Sequence, residues 1–191
     1  MNHIKINNII KKSKTNGPDT RYTIWVQGCT LQCPGCINTD TWDKNLGYWV
    51  TFDELLKDIE QTKSDGITIT GGEPLQQYET IYEFLKIVFP EYNIFLTSGY
   101  SFEKIKKDKN KILNVVDILC SGPFIQAQID TTKSWRGSKN QLISFLTERG
   151  EQFKNYIPEW RTEIRIDKNS GNSQITGFTD VDNLVKQMLA K

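Results

Sequence analysis

Three cysteines lie within eight residues of this 191-residue chain, with Cys29, Cys33 and Cys36 in the spacing C-x3-C-x2-C. Thiolates at this spacing can converge on one inorganic centre, so the fold must present them together on one loop. Structural zinc is nearly always closed by four ligands, and no fourth cysteine or histidine lies near this loop. A four-iron cluster also normally takes four cysteines, so three would leave one iron open. Taken alone, the loop fits a partial metal site and an iron–sulfur cluster equally well.

Short β-branched and aromatic segments alternate with helical patterns along the chain. We predict strands at residues 22–27, 67–70, 94–97, 115–119, 141–145, 163–166 and 174–176. We predict helices after the capping box of Thr51 and Glu54, over residues 81–88, after Ser101, and over residues 181–188. The alternation predicts one α/β domain over residues 1–191, built from right-handed βαβ units around a parallel sheet.

Three predicted strands lead directly into glycine-containing loops. The cysteine loop follows the first strand, a second loop follows the strand at 67–70, and a third follows the strand at 94–97. Ligands of parallel α/β sheets bind at the carboxyl ends of the strands, so these loops should meet at one edge. The sequence therefore predicts an active site there, which includes Gly71, Gly72, Glu73 and Pro74 of the second loop and Thr97, Ser98 and Gly99 of the third.

The cysteine loop is followed about 35 residues later by Gly71-Gly72-Glu73-Pro74, and this combination resembles the radical S-adenosylmethionine (SAM) superfamily. The resemblance implies one [4Fe–4S] cluster held by Cys29, Cys33 and Cys36. It also implies that the open iron binds the amino and carboxylate groups of SAM, with the Gly-Gly-Glu-Pro loop at the amino group. Glycines suit this position because they allow a close approach of the backbone. The alternative for the second loop is an ordinary turn after a strand.

Further motifs are similar to those of the anaerobic ribonucleoside-triphosphate reductase activating proteins. Gly35 stands where many radical SAM enzymes have an aromatic residue, but Pro-Gly there is similar to this subgroup. Ser121 stands where the subgroup leads us to expect aspartate. The matching segments are Val26-Gln27-Gly28, Cys33-Pro34-Gly35-Cys36, Gly71–Leu75 with Gln76, Thr97-Ser98-Gly99-Tyr100, Gly122-Pro123-Phe124, Trp135-Arg136-Gly137-Ser138 with Asn140-Gln141, and Ile175-Thr176-Gly177-Phe178.

The resemblance implies an enzyme that reductively cleaves SAM to methionine and a 5′-deoxyadenosyl radical, and so installs a glycyl radical on a partner. That partner would be a large glycyl-radical enzyme, with anaerobic ribonucleotide reductase expected, and an electron donor such as flavodoxin or ferredoxin would reduce the cluster. The implied fold is a partial TIM-like barrel of parallel strands with outer helices, whose open mouth could admit a loop of another protein. No cysteine follows Cys120, so one cluster is expected.

Two other functions stay open from the sequence. One is a radical SAM enzyme that modifies a peptide or a small metabolite. The other is a non-enzymatic metal-binding module, although the loop at Gly71–Pro74 argues against it.

Several residues outside these loops have two interpretations each. Trp135 and Arg136 could contact SAM or a partner, or could belong to a loop that folds against the barrel. Cys120 fits a buried small apolar residue better than a role near the cofactor. Tyr48 and Trp49 are expected to pack beneath the helix that follows them.

The composition argues against two classes of partner. Lys and Arg total 24 against 23 for Asp and Glu, so no global field would attract nucleic acid. The basic run at 104–111 is interpreted as a solvated helix face or loop. No segment approaches the ~20 apolar residues that cross a bilayer, and the N-terminus has no export signal pattern. We therefore expect a cytoplasmic protein that binds neither nucleic acid nor membrane.

Overall fold

The computed structural model describes residues 2–130, 135–157, 162–166 and 173–177. Seven strands form the main sheet: β1 His3–Ser13, β2 Arg21–Val26, β3 Tyr48–Thr51, β4 Gly66–Gly71, β5 Asn93–Ser98, β6 Ile118–Ser121 and β7 Leu142–Phe145. Their order in the sheet is β3-β1-β2-β4-β5-β6-β7. The helices are α1 Phe52–Thr62, α2 Tyr78–Val88, α3 Phe102–Asp108 and α4 Glu148–Glu151.

The centre of the sheet is parallel and its flanks are antiparallel. Strands β2, β4, β5 and β6 pair in parallel, whereas β1, β3 and β7 pair antiparallel with their neighbours. The prediction of an α/β fold is confirmed, and the predicted parallel sheet is present at the centre, but it is flanked by antiparallel pairs of strands, which were not predicted. The sequence pattern did not reveal β1 or β3, because polar residues interrupt the isoleucines of β1 and β3 has only four residues.

The pleat of the parallel strands separates two kinds of surface. One face carries aliphatic side chains such as Ile24, Ile69 and Leu96, which pack with residues of α1, α2 and α3 in the main core. Successive side chains of a strand point to opposite faces, so Trp25, Thr70 and the residues in register with them lie on the other face. We call the face with Trp25 and Thr70 the inner face. It borders a cavity and does not pack against the helices.

Arg21 holds the amino ends of the parallel strands together. Its buried guanidinium donates to the Thr68 hydroxyl at 3.1 Å, to the Ile67 carbonyl at 2.6 Å, and to the side-chain and main-chain oxygens of Asn93 at 2.9 and 2.8 Å. Burial lowers the pKa of Arg21 to about 9, against the opposing influence of Asp117 and nearby carboxylates. Gly66 is required beside it because a Cβ at that position would collide with the guanidinium.

The local signals for helix starts are confirmed. Thr51 and Glu54 form the predicted capping box, with the Glu54 N–H donating to the Thr51 hydroxyl at 3.2 Å and the Thr51 N–H donating to the Glu54 carboxylate at 2.8 Å. Ser101 caps α3 by accepting from the Lys104 N–H at 3.2 Å. The fourth predicted strand is displaced, since β6 starts at Ile118 rather than at residue 115.

The last two described strands form a hairpin of their own, with β8 at Thr162–Ile166 and β9 at Ser173–Gly177. Both were predicted as strands, and they pair with each other rather than with the main sheet. The hairpin contacts the start of the domain, because the amide of Asn16 donates to the Thr176 hydroxyl at 3.0 Å. The predicted helix at 181–188 lies outside the described residues.

Two further observations concern the surface. Tyr48 and Trp49 lie in β3 and are exposed, so the expectation that they pack beneath α1 is wrong.

In the part of the chain that the structure describes, no helix has both the length and the apolar character needed to cross a bilayer.

Replacing Arg21 with methionine should lower the free energy of unfolding by about 3 kcal/mol, because the buried oxygens that it contacts would lose their donors. Urea unfolding followed by circular dichroism measures the change. Lys86→Met is the control, since it removes an exposed ion pair with Glu83 and should cause no measurable loss. Equal stability of the two variants would contradict the role given to Arg21.

Candidate active site

The cysteine loop begins where β2 ends. Gly28 has a positive φ of 101°, which turns the chain out of the sheet, and its N–H donates to the Thr41 carbonyl at 2.7 Å. The Cys29 N–H donates to the Trp42 carbonyl at 3.1 Å. Residues that follow the loop thus hydrogen-bond to its first residues. The three cysteines are free and half-buried.

The second loop is bonded to the first. The Glu73 N–H donates to the Gly28 carbonyl at 2.9 Å. The Gln76 side chain accepts from the Thr30 N–H at 3.2 Å and donates to the Thr30 hydroxyl at 2.6 Å. Gln76 lies in the short 3-10 helix Pro74–Gln77, so this helix fixes the cysteine loop from one side.

The two glycines of the second loop are required by the protein backbone itself. Gly71 has a φ of 104°, and a Cβ there would lie 2.6 Å from the Val26 nitrogen. A Cβ on Gly72 would collide with the carbonyl oxygen of Gly28, directly before Cys29. These glycines were predicted to allow close approach to a ligand, and in the structure they also allow close approach to β2 and to the cysteine loop.

Glu73 connects the second loop to the third. Its buried carboxylate accepts from the Ser98 hydroxyl at 2.8 Å, from the Gly99 N–H at 2.7 Å and from the Leu75 N–H at 2.9 Å. Burial raises the pKa of Glu73, while these three donors act in the opposite direction. Thr97 adds a contact between neighbouring strands, because its hydroxyl bonds to that of Thr70 at 2.8 Å.

The three loops enclose one cavity of about 470 Å³. Of the predicted site residues, nine line it: Cys29, Cys33, Cys36, Gly71, Gly72, Glu73, Thr97, Ser98 and Gly99. Pro74 does not, because it is buried at the start of the 3-10 helix. The structure therefore brings together the residues that the sequence predicted to meet at the carboxyl ends of the strands.

Trp135, Arg136 and Cys120 also line the cavity. Trp135 is buried, with its ring centre 6.0 Å from that of Phe95 and 5.5 Å from that of Tyr156. This favours the interpretation that its loop folds against the inner face, and it is not a surface contact for a partner. The Arg136 guanidinium forms an ion pair with Asp130 at 2.6 Å.

Some cavity residues were not found from the sequence. The side-chain amide of Gln126 lies against Gly35, where a Cβ would come within 2.6 Å of its Cδ. Asn16 and Thr176 reach the cavity from segments far apart in the chain. Asn16 and Gln126 belong to no motif, whereas Thr176 lies in the segment Ile175–Phe178 that matched the family. Asp130 was also missed, although it lies only six residues before Arg136 in the chain.

The donor set fits an iron–sulfur cluster. Burial raises the pKa of the Cys29 thiol, and hydrogen bonds from the backbone of Leu31 and Gln32 oppose this. Soft thiolates are the ligands of such clusters, and backbone donors to sulfur are among the features that set their potential. Burial raises the pKa of Cys120 to about 12, so this cysteine stays a thiol. Among the residues described, no three His, Cys, Asp or Glu side chains are arranged to hold a single metal ion.

Comparison with known proteins gives consistent matches. Residues 15–144 match a family model described as a 4Fe-4S single cluster domain. Proteins named anaerobic ribonucleoside-triphosphate reductase-activating protein are similar to this chain. The one from Haemophilus influenzae is 37% identical over 140 residues, which cover 67% of this chain and 89% of the relative. The one from Escherichia coli K12 is 34% identical over 142 residues, which cover 69% and 92%.

A third protein with the same name comes from Enterobacteria phage T4. It is 36% identical over 136 residues, which cover 67% of this chain and 85% of the relative. Among solved structures, QueE from Escherichia coli aligns with a TM-score of 0.44 at 18% identity. The alignment covers 52% of this chain and 53% of that one.

Replacing Gly72 with alanine should remove most of the iron that the protein takes up on anaerobic reconstitution, because the new Cβ would displace the backbone before Cys29. Iron and sulfide analysis measures the loss. The matched control is Gly99→Ala, whose Cβ would press on the end of the flexible Leu31 side chain and make ordinary contact with the Glu73 carboxylate. No backbone atom is among its nearest neighbours, so this variant should leave the iron content near that of the unmodified protein. Full iron content in Gly72→Ala would contradict this.

Proposed function

This chain belongs to the 4Fe-4S single cluster domain family and to the anaerobic ribonucleoside-triphosphate reductase-activating proteins, and from that membership we propose that it is a radical SAM activase. Its activity is the reductive cleavage of SAM, coupled to the formation of a glycyl radical on a partner enzyme. The observation that carries the proposal is the convergence of the cysteine loop, the Gly71–Glu73 loop and the Thr97–Gly99 loop on one cavity.

We assign the cluster to Cys29, Cys33 and Cys36, which leaves one iron without a protein ligand for SAM. When bound, the cluster and SAM supply the one-electron, hydrogen-abstracting chemistry, and the protein supplies binding and orientation. Glu73 has its carboxylate committed to Ser98, Gly99 and Leu75, so it acts by holding the loops in register. Gly71 and Gly72 line the cavity, and in this proposal their backbone would bind the amino group of SAM.

Thr97, Ser98 and Gly99 complete the SAM site in this proposal. They lie at the carboxyl end of β5, next to the end of β4, and line the same cavity as the cysteines. Trp25 and Trp135 give this cavity broad apolar surfaces, which help to exclude water from a reactive species.

We further propose that the main sheet is the wall of a partial barrel and that residues 1–191 form one domain. The contact of Asn16 with Thr176 supports the single domain, because it joins the segment after β1 to β9. The partner would be a large glycyl-radical enzyme, with anaerobic ribonucleotide reductase as the leading candidate, and flavodoxin or ferredoxin would supply the electron. Nucleic acid and membrane have no part in this activity, which we place in the cytoplasm.

The second candidate is a radical SAM enzyme that acts on a peptide or a small metabolite, since the same cavity could receive either. A non-enzymatic metal-binding module explains the cysteines but gives no role to the Glu73 carboxylate or to the loops that it joins.

The reduced, reconstituted protein should cleave SAM to 5′-deoxyadenosine and contain one [4Fe–4S] cluster per chain. Cys33→Ala should lose both properties, whereas Cys120→Ala should keep the iron because Cys120 packs among apolar side chains. Iron and sulfide analysis and chromatography measure the two properties. About two clusters per chain, or full iron in Cys33→Ala, would show that the ligand assignment is wrong.

The activase role is tested by mixing reduced protein, SAM and a candidate glycyl-radical enzyme from the same cell without oxygen. We expect an electron paramagnetic resonance signal of a glycyl radical on the partner, because the flanking amides stabilise a radical at a glycine Cα. A matched sample with the partner glycine changed to alanine should give no such signal. Consumption of a peptide or metabolite with 5′-deoxyadenosine formation, while every candidate partner stays radical-free, would favour the second candidate function.

A further inference from the structure

The side-chain amide of Gln126 lines the cavity without a protein partner. Among the residues that the structure describes, none forms a hydrogen bond with this amide. Other polar side chains of the same wall are already engaged, since Gln141 accepts from the Gly137 N–H at 2.8 Å and Arg136 is paired with Asp130 at 2.6 Å. The amide of Gln126 is therefore available to a group that binds in the cavity.

The backbone that carries Gln126 is held in place on both sides. Just before it, the Ile125 N–H donates to the Ser138 hydroxyl at 3.1 Å. Just after it, the Gln128 carbonyl accepts from the Lys139 N–H at 2.8 Å. With the backbone fixed, an interaction of the amide with a bound group costs mainly the ordering of one side chain.

Gln126 lies against the turn that joins two of the predicted cluster ligands. In the segment Cys33-Pro34-Gly35-Cys36, the Cys36 N–H donates to the Cys33 carbonyl at 3.1 Å. Proline at the second position and a φ of 77° at Gly35 fit a type II turn. A Cβ on Gly35 would lie 2.6 Å from Cδ of Gln126 and 2.8 Å from its Oε1. The amide thus fills the space that a side chain at position 35 would occupy.

The cavity offers little positive charge to a cluster that gains an electron. Among the described residues that line it, Arg136 is the only lysine or arginine, and Asp130 offsets its charge. Backbone N–H groups of Leu31 and Gln32 bond to the sulfur of Cys29. Hydrogen bonds to the sulfurs are one of the features that set the potential of an iron–sulfur cluster, because they stabilise the added charge. Neutral donors are therefore the groups that can favour reduction at this site.

We propose that the side-chain N–H of Gln126 donates a hydrogen bond to a sulfur of the bound cluster and so raises the reduction potential of the cluster. The sulfur belongs to Cys33, to Cys36 or to a sulfide next to them, because the amide lies on the turn between these two residues. Gln126 is not a ligand, and it acts on how readily the cluster accepts its electron. The inference rests on the cluster assignment of the proposed function and adds a residue that controls the first step.

The test uses Gln126→Leu, which removes the amide, and Gln126→Glu, which keeps its shape but replaces the two N–H donors with an acceptor. Gln128→Leu is the matched control, since Gln128 is an exposed residue of the same 3-10 helix, Gln126–Gln128, and does not line the cavity. Each protein is reconstituted without oxygen. The midpoint potential of its cluster is then measured without SAM, by redox titration followed by electron paramagnetic resonance.

Gln126→Leu should make the cluster about tenfold harder to reduce, which is a midpoint potential about 59 mV lower for a one-electron couple. Gln126→Glu should lower the potential further, because its carboxylate adds a negative charge beside the cluster. Gln128→Leu should leave the potential unchanged. Iron and sulfide content and thermal unfolding should match the unmodified protein in all three variants, because Gln126 and Gln128 are exposed and neither is a ligand.

Equal midpoint potentials in the unmodified protein and both Gln126 variants would overturn the proposal. An equal shift in Gln128→Leu would also overturn it, because the effect would not belong to the Gln126 amide. Loss of iron in the Gln126 variants would show that Gln126 holds the turn instead. An unchanged potential with a tenfold higher dissociation constant for SAM would show that the amide binds SAM instead. If the potential shifted as expected but the unmodified protein did not cleave SAM, the proposed function would fail while the role of Gln126 stood.

Discussion

The carboxylate of Glu73 is the interaction on which the arrangement of the site depends. Its main chain bonds to Gly28 at the start of the cysteine loop, and its side chain bonds to Ser98 and Gly99 at the end of β5. One residue therefore sets the distance between three loops that come from three different strands. Burying a carboxylate is costly unless it is hydrogen-bonded, and the three donors around it offset that cost. The cavity is stable because this group is satisfied within the protein.

The two faces of the sheet have different roles, because one packs in the hydrophobic core and the other lines the site. The helix-covered face is aliphatic and provides the main core, with Ile24, Ile69 and Leu96 as examples. The inner face carries threonines and aromatic residues such as Thr70, Thr97 and Trp25, which line the cavity. Arg21 lies at the amino ends of the same strands, at the opposite edge from the cysteine loop. The fold thus fixes the strands at one end with a buried cation and leaves the other end for the site.

The sequence was sufficient wherever a local pattern determined the structure. The capping box at Thr51, the strands that end at glycine loops and the convergence of those loops all follow from short-range rules. The flanking strands β1 and β3 were not predictable in this way, because their stability comes from pairing rather than from their own sequence. The packing reason for Gly72 was also hidden, since it depends on a carbonyl that lies more than 40 residues earlier in the chain. Trp135 was ambiguous for the same reason, because its neighbours Phe95 and Tyr156 are distant in sequence.

The order of the strands has a consequence for how the protein is made. Strand β4 pairs with β2, and β5, β6 and β7 each pair with the strand directly before them in the chain. The sheet can therefore grow from one side as the chain leaves the ribosome. The cysteine loop, the Gly71–Glu73 loop and the Thr97–Gly99 loop are complete once the chain has been made to the end of β5 and the residue after it. Cys120, Trp135 and Arg136 follow later in the chain and add to the lining of the same cavity. In this order of synthesis, all three cysteines of the loop emerge before Trp135 and Arg136, which form part of the wall around them.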